Sequence, residues 1–200
     1  MKNLIVYANP SKGHCYAILQ EVKKLLEKKK EEYEVIDLYK INYDPVLHKD
    51  EHYTAGNYHV SKENKKFQKM IKETNKLIFI YPVWWDTMPA IMKGFFDKIF
   101  TSHYAFKYVN MPIISKLING PVPVGLLKDK KATVFVTTEA KKWQAKIFLR
   151  NRFKKIVSTD ILKFCGIKSK VFHLAGCTTH CKNKEKEIKK LVKKGINYLE

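Results

Sequence analysis

Arginine is scarce, long apolar runs are missing, and so is any glycine-rich dinucleotide fingerprint. The chain has 39 basic against 19 acidic residues, a formal net charge of +20, with arginine only at 150 and 152. Arginine is the usual reader of base edges, and the lysines scatter through 23–30, 62–76, 128–146 and 182–194, mostly at polar helix positions. The charge therefore reads as solvated surface, and no nucleic acid is expected as a partner. The longest apolar stretches are broken by Pro82 or by charge well before the roughly 18 residues a membrane-spanning helix needs. The first apolar run, Leu4–Ala8, is shorter than the signal-peptide core of about 7–15 residues. A membrane span and a secretion signal are thus both unexpected, and the expected location is the cytoplasm.

No Gly-x-Gly-x-x-Gly occurs. Gly120–Gly125 has the glycine spacing of a P-loop, but Leu126 and Leu127 stand where Lys and Ser/Thr are required, and Pro121 and Pro123 remove amide donors. Repeats, low-complexity tracts and linkers are absent as well. Two hundred residues at 45% hydrophobic content therefore predict a single domain over 1–200 with a sizeable core. Cys15, Cys165, Cys177 and Cys181, without a secretion signal, read as reduced thiols. Cys177, His180 and Cys181 offer three metal-competent side chains in five residues, but a closed zinc site wants four, with His173 the only near candidate. No metal is expected. His48, His52 and His59 lack ligand spacing and read as exposed loop residues, one of which could line a substrate mouth.

Apolar periodicity gives the frame. Asn3–Ala8 reads as a strand followed by the turn Asn9–Gly13, and apolar residues at 15, 18, 19, 22, 25 and 26 stripe a first helix. Tyr33–Asp37 is a second strand; 39–60 is a long irregular segment, hence a candidate active-site loop. Phe67, Met70, Ile71 and Thr74 mark a second helix, Lys76–Tyr81 a third strand, and Met88 to Phe100 a third helix. Residues 101–131, with three prolines, read as irregular. Ala132–Thr138 is a fourth strand, 143–165 is mainly helical, Lys170–Leu174 is a fifth strand, and Ile188, Leu191, Val192, Ile196 and Leu199 stripe a last helix. Strands alternating with helices imply crossover units and a parallel sheet. The expected fold is α/β, a flavodoxin-like, doubly wound, five-stranded sheet of order 2-1-3-4-5, whose ligand site lies at the switch between strands 1 and 3.

The most informative stretch is Phe79–Phe100. A buried strand closes on Pro82, two tryptophans follow in the loop, and an amphipathic helix opens. Two consecutive side chains leaving a strand cannot both face one core, and adjacent indoles at the carboxyl end of such a strand suit a planar, partly apolar ring. Pro82, Trp84, Trp85, Met88, Pro89, Ala90, Ile91, Lys93, Gly94 and Asp97 together resemble the isoalloxazine-binding segment of the NAD(P)H:quinone oxidoreductase family, flavodoxin-like enzymes that use FMN or FAD. Asn9-Pro-Ser-Lys-Gly-His-Cys-Tyr16 is similar to that family's phosphate turn, with Asn9 for its histidine and His14 where its serine falls. Thr137-Thr138-Glu139-Ala140 stands where a Thr-Thr-Gly-Gly turn is usual. With Trp143 and Phe164-Cys-Gly-Ile167 the segment is closest to a bacterial FMN-dependent branch.

That resemblance implies an FMN-dependent NAD(P)H oxidoreductase. Hydride would pass from the nicotinamide nucleotide through the flavin to a quinone or similar small-molecule acceptor, in a ping-pong exchange through one slot. FMN is expected over FAD because no adenine-side extension is evident, and a homodimer is expected because family members complete the acceptor pocket with a partner chain. The implied cofactor-binding residues are Asn9, Ser11, Lys12, His14, Cys15 and Tyr16 at the phosphate, Pro82, Val83, Trp84, Trp85 and Asp86 around the ring, and Thr137, Thr138 and Glu139 on the ribityl side. Asp86 has two readings: a carboxylate beside the flavin that would lower its potential, or the cap of the helix beginning near Met88. The basic surface would attract anionic dinucleotides. A flavodoxin-type electron carrier and a regulatory flavoprotein subunit of a transporter are the alternatives.

Overall fold

The computed structural model describes residues 2–52, 59–178 and 184–200. The chain runs β1 (Asn3–Tyr7), α1 (His14–Lys28), β2 (Tyr33–Asp37), α2 (Lys62–Lys72), β3 (Lys76–Pro82), α3 (Ala90–Ile99), β4 (Phe106–Val109), α4 (Pro112–Leu117), β5 (Val122–Gly125), β6 (Lys131–Thr137), α5 (Lys142–Ile147), α6 (Arg152–Lys155), β7 (Lys168–Leu174) and α7 (Glu185–Leu199). The main sheet has the order β2-β1-β3-β6-β7 with every pairing parallel, the expected 2-1-3-4-5 once the β4–β5 excursion is set aside.

A parallel sheet covered on both faces makes its strands continuously apolar. Every position of β1 is buried, and its side chains divide by period 2: Leu4 and Val6 join a core with Phe67, Phe79, Phe95 and Phe96 under α2 and α3, while Ile5 and Tyr7 join one with Ile18, Leu26, Phe135 and Val192 under α1 and α7. Among the described residues no helix is long and apolar enough to cross a membrane.

Two sequence expectations are corrected, and a third, the mainly helical 143–165, is refined. Residues 101–131 are not irregular: β4 and β5 pair antiparallel from Phe106↔Gly125 to Val109↔Val122 and carry α4 between them. The prolines that obscured this sit where proline is tolerated, Pro112 at the start of α4 and Pro123 in a two-stranded ribbon. Helix α3 begins at Ala90 with Pro89 as its N-cap, so Asp86 does not cap it. The helical stretch after Trp143 breaks at Leu149–Asn151 and continues beyond α6 as a π-helical segment, Ile156–Lys163.

Residues 43–51 form a strap over α3. A Cβ at Gly94 would lie 2.2 Å from the Pro45 carbonyl oxygen; one turn on, the buried Lys98 ammonium lies 3.0 Å from Glu51 and 3.3 Å from Asp44, and donates to the Val46 carbonyl at 2.8 Å. Gly94→Ala should cost about 1–3 kcal/mol by overpacking, more than the roughly 1 kcal/mol that helix propensity returns. The urea midpoint should fall accordingly.

Candidate functional site

The carboxyl ends of β1, β3 and β6 open into one cleft of about 720 Å³, at the switch point where doubly wound sheets bind ligands. Twelve of the fourteen residues singled out from the sequence line it: Asn9, Ser11, His14, Cys15, Pro82, Val83, Trp84, Trp85, Asp86, Thr137, Thr138 and Glu139. Lys12 and Tyr16 do not. Lys12 is exposed in the loop, and Tyr16 leans back against the core under α1.

The loop after β1 is braced by the Asn9 side-chain amide, which donates to the Ser11 carbonyl at 3.1 Å. Gly13 is the N-cap of α1 and no side chain caps that end. The first N–H groups of a fifteen-residue helix, with the positive end of its dipole, therefore face the cleft, an arrangement suited to phosphate. Cys15 forms the floor. Its Sγ lies 3.2 Å from the Thr137 hydroxyl, and burial pushes the thiol up to about 12, so it acts as a packing residue and not as a nucleophile.

The tryptophans sit in a tight turn. The Trp84 N–H donates to the Thr87 carbonyl at 2.9 Å and the Thr87 N–H returns the bond at 3.0 Å, with Trp85 at φ 49° and Asp86 at φ 56° between them. Left-handed conformation costs a non-glycine residue about 1–2 kcal/mol, and a bulky tryptophan is a poor occupant. The strain holds the Trp85 indole 99% exposed at the cleft mouth, with Trp84 at 43%. The Val83 N–H is committed to the Thr137 carbonyl at 2.8 Å, and among the described residues the Trp85 and Asp86 amides donate to no backbone carbonyl. Asp86 Oδ1 is buried and has no hydrogen-bond partner among the described residues. Burial raises the acid above the ordinary aspartate value, opposed by the Arg152 charge and by the Phe153 N–H.

The third wall follows β6. The Thr138 N–H donates to Leu174, and Cys177 and Gly176 donate to the Thr138 and Ala140 carbonyls. The Thr138 hydroxyl donates to the Ala140 carbonyl at 2.8 Å and lies 2.6 Å from His173 Nε2; having spent its proton, it accepts from the imidazole, which fixes the Nε2–H tautomer. Burial, helped by the charges of Lys154 and Lys142, lowers His173 to about 4. The Thr137 and Thr138 hydroxyls are thus turned to internal partners and build the wall.

An uncapped helix start at one end, an orphaned buried carboxyl oxygen and two unburied indoles at the other fit a molecule with a phosphate and a planar, hydrogen-bonding ring, as FMN has. Gly13, Ala140, Leu149, Cys177 and Thr178 also line the cleft although none was among the fourteen expected cofactor-binding residues. Cys177 and Thr178 follow the carboxyl end of β7, where the strand-end rule could have found them; Leu149 arrives through the break after α5 and carries no local signal. Cys15 and Cys165 are free thiols. Among the described residues no group of three or more His, Cys, Asp or Glu is arranged to hold a metal ion; His180 and Cys181 lie outside the described residues.

A family model described as "Flavodoxin-like fold" matches residues 1–199. An uncharacterized NAD(P)H oxidoreductase of Haemophilus influenzae is 26% identical over 179 residues, covering 88% of this chain and 84% of that protein. An FMN-dependent NADH:quinone oxidoreductase of Coprothermobacter proteolyticus is 32% identical over 178 residues, covering 84% and 82%. The crystal structure of Smu.1420 from Streptococcus mutans superposes with a TM-score of 0.82 at 28% identity, over 98% of this chain and 100% of that one. With the sheet order and the cleft, these likenesses establish that the chain belongs to the flavodoxin-like fold family, in the group of the NAD(P)H:quinone oxidoreductases.

Proposed function

We propose that the protein is an FMN-dependent NAD(P)H oxidoreductase that reduces a quinone or similar small acceptor. The carrying observation is the pairing, in one cleft, of an uncapped α1 N-terminus with the Trp84–Asp86 turn. Bound there, FMN would supply the two-electron hydride chemistry that no side chain of the protein can perform. The chain does the rest. The N–H groups opening α1 hold phosphate, the backbone of Thr137 to Ala140 walls the ribityl side, and Trp84 and Trp85 flank the ring. Asp86 sets the electrostatics at its polar edge: a carboxyl raised by burial accepts a hydrogen bond as carboxylate or donates one when protonated. Trp85 and Leu149, both lining the cleft, would exclude water from a ring bound there.

Nucleotide and acceptor take the same mouth in turn, because the chain has no Gly-x-Gly-x-x-Gly motif to anchor a dinucleotide elsewhere. Initial rates should give parallel double-reciprocal lines, with excess acceptor competing against nucleotide. Intersecting lines overturn the shared mouth, and an FMN-loaded protein that no nicotinamide nucleotide reduces returns the reading to an electron carrier. The working unit on this reading is a homodimer. The α4 arm supports it, with Ile113 and Leu117 each 85% exposed, since apolar side chains of this size gathered on a surface mark contact faces. Light scattering should give twice the chain mass of 23.5 kDa; the mass of one chain contradicts the dimer.

A further inference from the structure

A second cleft, of about 480 Å³, lies along the open edge of β7 and is lined by five lysines: Lys142 and Lys146 of α5, Lys154 of α6, Lys170 of β7 and Lys194 of α7. Asn151 and His173 complete its polar lining, and among the described residues no carboxylate lines it. None of the five lysines forms an ion pair among the described residues. Some lysines elsewhere take acidic partners, as Lys76 does with Glu31, Lys98 with Glu51 and Lys93 with Asp97; what sets these five apart is that they line one concavity. Here five lysines line one concavity, with the Lys154 nitrogen over the Phe153 ring and that of Lys170 over the rings of Phe172 and Tyr198, and a concave, singly signed surface concentrates counter-ions. The repulsion is felt inside the protein: burial and the charge of Lys142 together lower the pKa of Lys154.

The position matters as much as the charge. Two side chains in contact separate the clefts, because Thr138 lines the first and lies 2.6 Å from His173, which lines this one. The same short segment supplies both, with Ala140 and Leu149 facing the first and Lys142, Lys146 and Asn151 the second. A ligand with an aromatic ring at the tryptophan turn and anionic groups several bonds away would meet both. Lysines on flexible stems suit phosphoryl groups, which they hold as point charges.

We propose that this lysine cleft is the subsite for the phosphoryl groups of the nicotinamide nucleotide. The assignment of the ligand rests on the oxidoreductase reading above. The groups have two sources, the pyrophosphate common to NADH and NADPH and the 2′-phosphate that NADPH alone carries.

Calorimetric titration of the FMN-loaded protein with ADP, 2′,5′-ADP and adenosine tests the subsite, comparing wild type with the Lys142→Gln/Lys154→Gln double variant. Wild type should bind the phosphorylated probes and not adenosine, and the variant should bind them at least tenfold more weakly while keeping its FMN. Its thermal midpoint should hold or rise, since like charges have been separated. A preference for 2′,5′-ADP that the variant loses identifies the 2′-phosphate, and NADPH should then show a lower KM than NADH; equal weakening of both probes identifies the pyrophosphate. Absence of binding, or binding the variant leaves unchanged, overturns the subsite. Steady-state rates separate this from the parent reading. If both nucleotides reduce wild type and variant with the same KM, the oxidoreductase reading stands and the subsite falls. If neither nucleotide reduces the flavin although the lysines govern ADP binding, the phosphoryl site stands and the donor assignment falls.

Discussion

Acidification from pH 7 to pH 4.5 should remove about 2–3 kcal/mol of folding stability through His173 alone. The imidazole is 7% exposed, hydrogen-bonded to Thr138 and lowered to about 4, against an unfolded value near 6.5. Between those two values the unfolded chain binds a proton that the native state refuses, so stability is complete above the unfolded pKa and is lost as the pH falls toward 4. Carboxylates held low by hydrogen bonds or partner charges, such as Asp44, lose stability in the same direction, so the comparison must isolate the histidine. His173→Gln keeps an N–H donor for Thr138 and has no proton to gain. Urea unfolding at pH 7 and pH 4.5 should show a wild-type loss exceeding that of the variant by the stated amount; equal losses would mean that His173 titrates normally. The ionisation bears on the site because Thr138 lines the cleft between α1 and the Trp84–Asp86 turn: protonating His173 adds a buried charge behind that wall.

Trp85→Ala should weaken FMN binding by about 1–3 kcal/mol, roughly 5- to 150-fold, the scale of losing one large aromatic contact, while leaving the stability of the flavin-free protein nearly unchanged. The second half follows from exposure. An indole 99% accessible contributes almost no burial to the fold, and alanine at φ 49° pays a left-handed penalty that tryptophan already pays. Equilibrium dialysis with FMN and thermal unfolding of the flavin-free chain measure the two effects. Unchanged affinity would remove Trp85 from the ring; a large loss of stability would mean the turn is a structural element and not a presented surface.

Much of this was legible in the sequence because both faces of the sheet are covered. Leu77–Tyr81 is an unbroken apolar run, and the stripes of α1 and α7 have a period no strand would tolerate. The tryptophan turn was legible as a site through the failure of two adjacent indoles to share a core, although its left-handed geometry was not, since turns of this kind normally carry asparagine or glycine. The β4–β5 ribbon stayed hidden because its strands are four residues long and prolines punctuate its pattern. The lysine cleft could not be read at all. Lys142, Lys146, Lys154, Lys170 and Lys194 each stand at a position that reads as solvated, and only the docking of α5, α6 and α7 around β7 gathers residues spread over 53 positions into one concavity.

The most direct test of the account is titration of the flavin-free protein with FMN and with riboflavin, followed by quenching of tryptophan fluorescence. FMN should saturate at one equivalent per chain, and riboflavin, which lacks the phosphate that the start of α1 would hold, should bind at least tenfold more weakly. Absence of saturable FMN binding, or equal affinity for the two ligands, would contradict the assignment of the cleft between α1 and the Trp84–Asp86 turn.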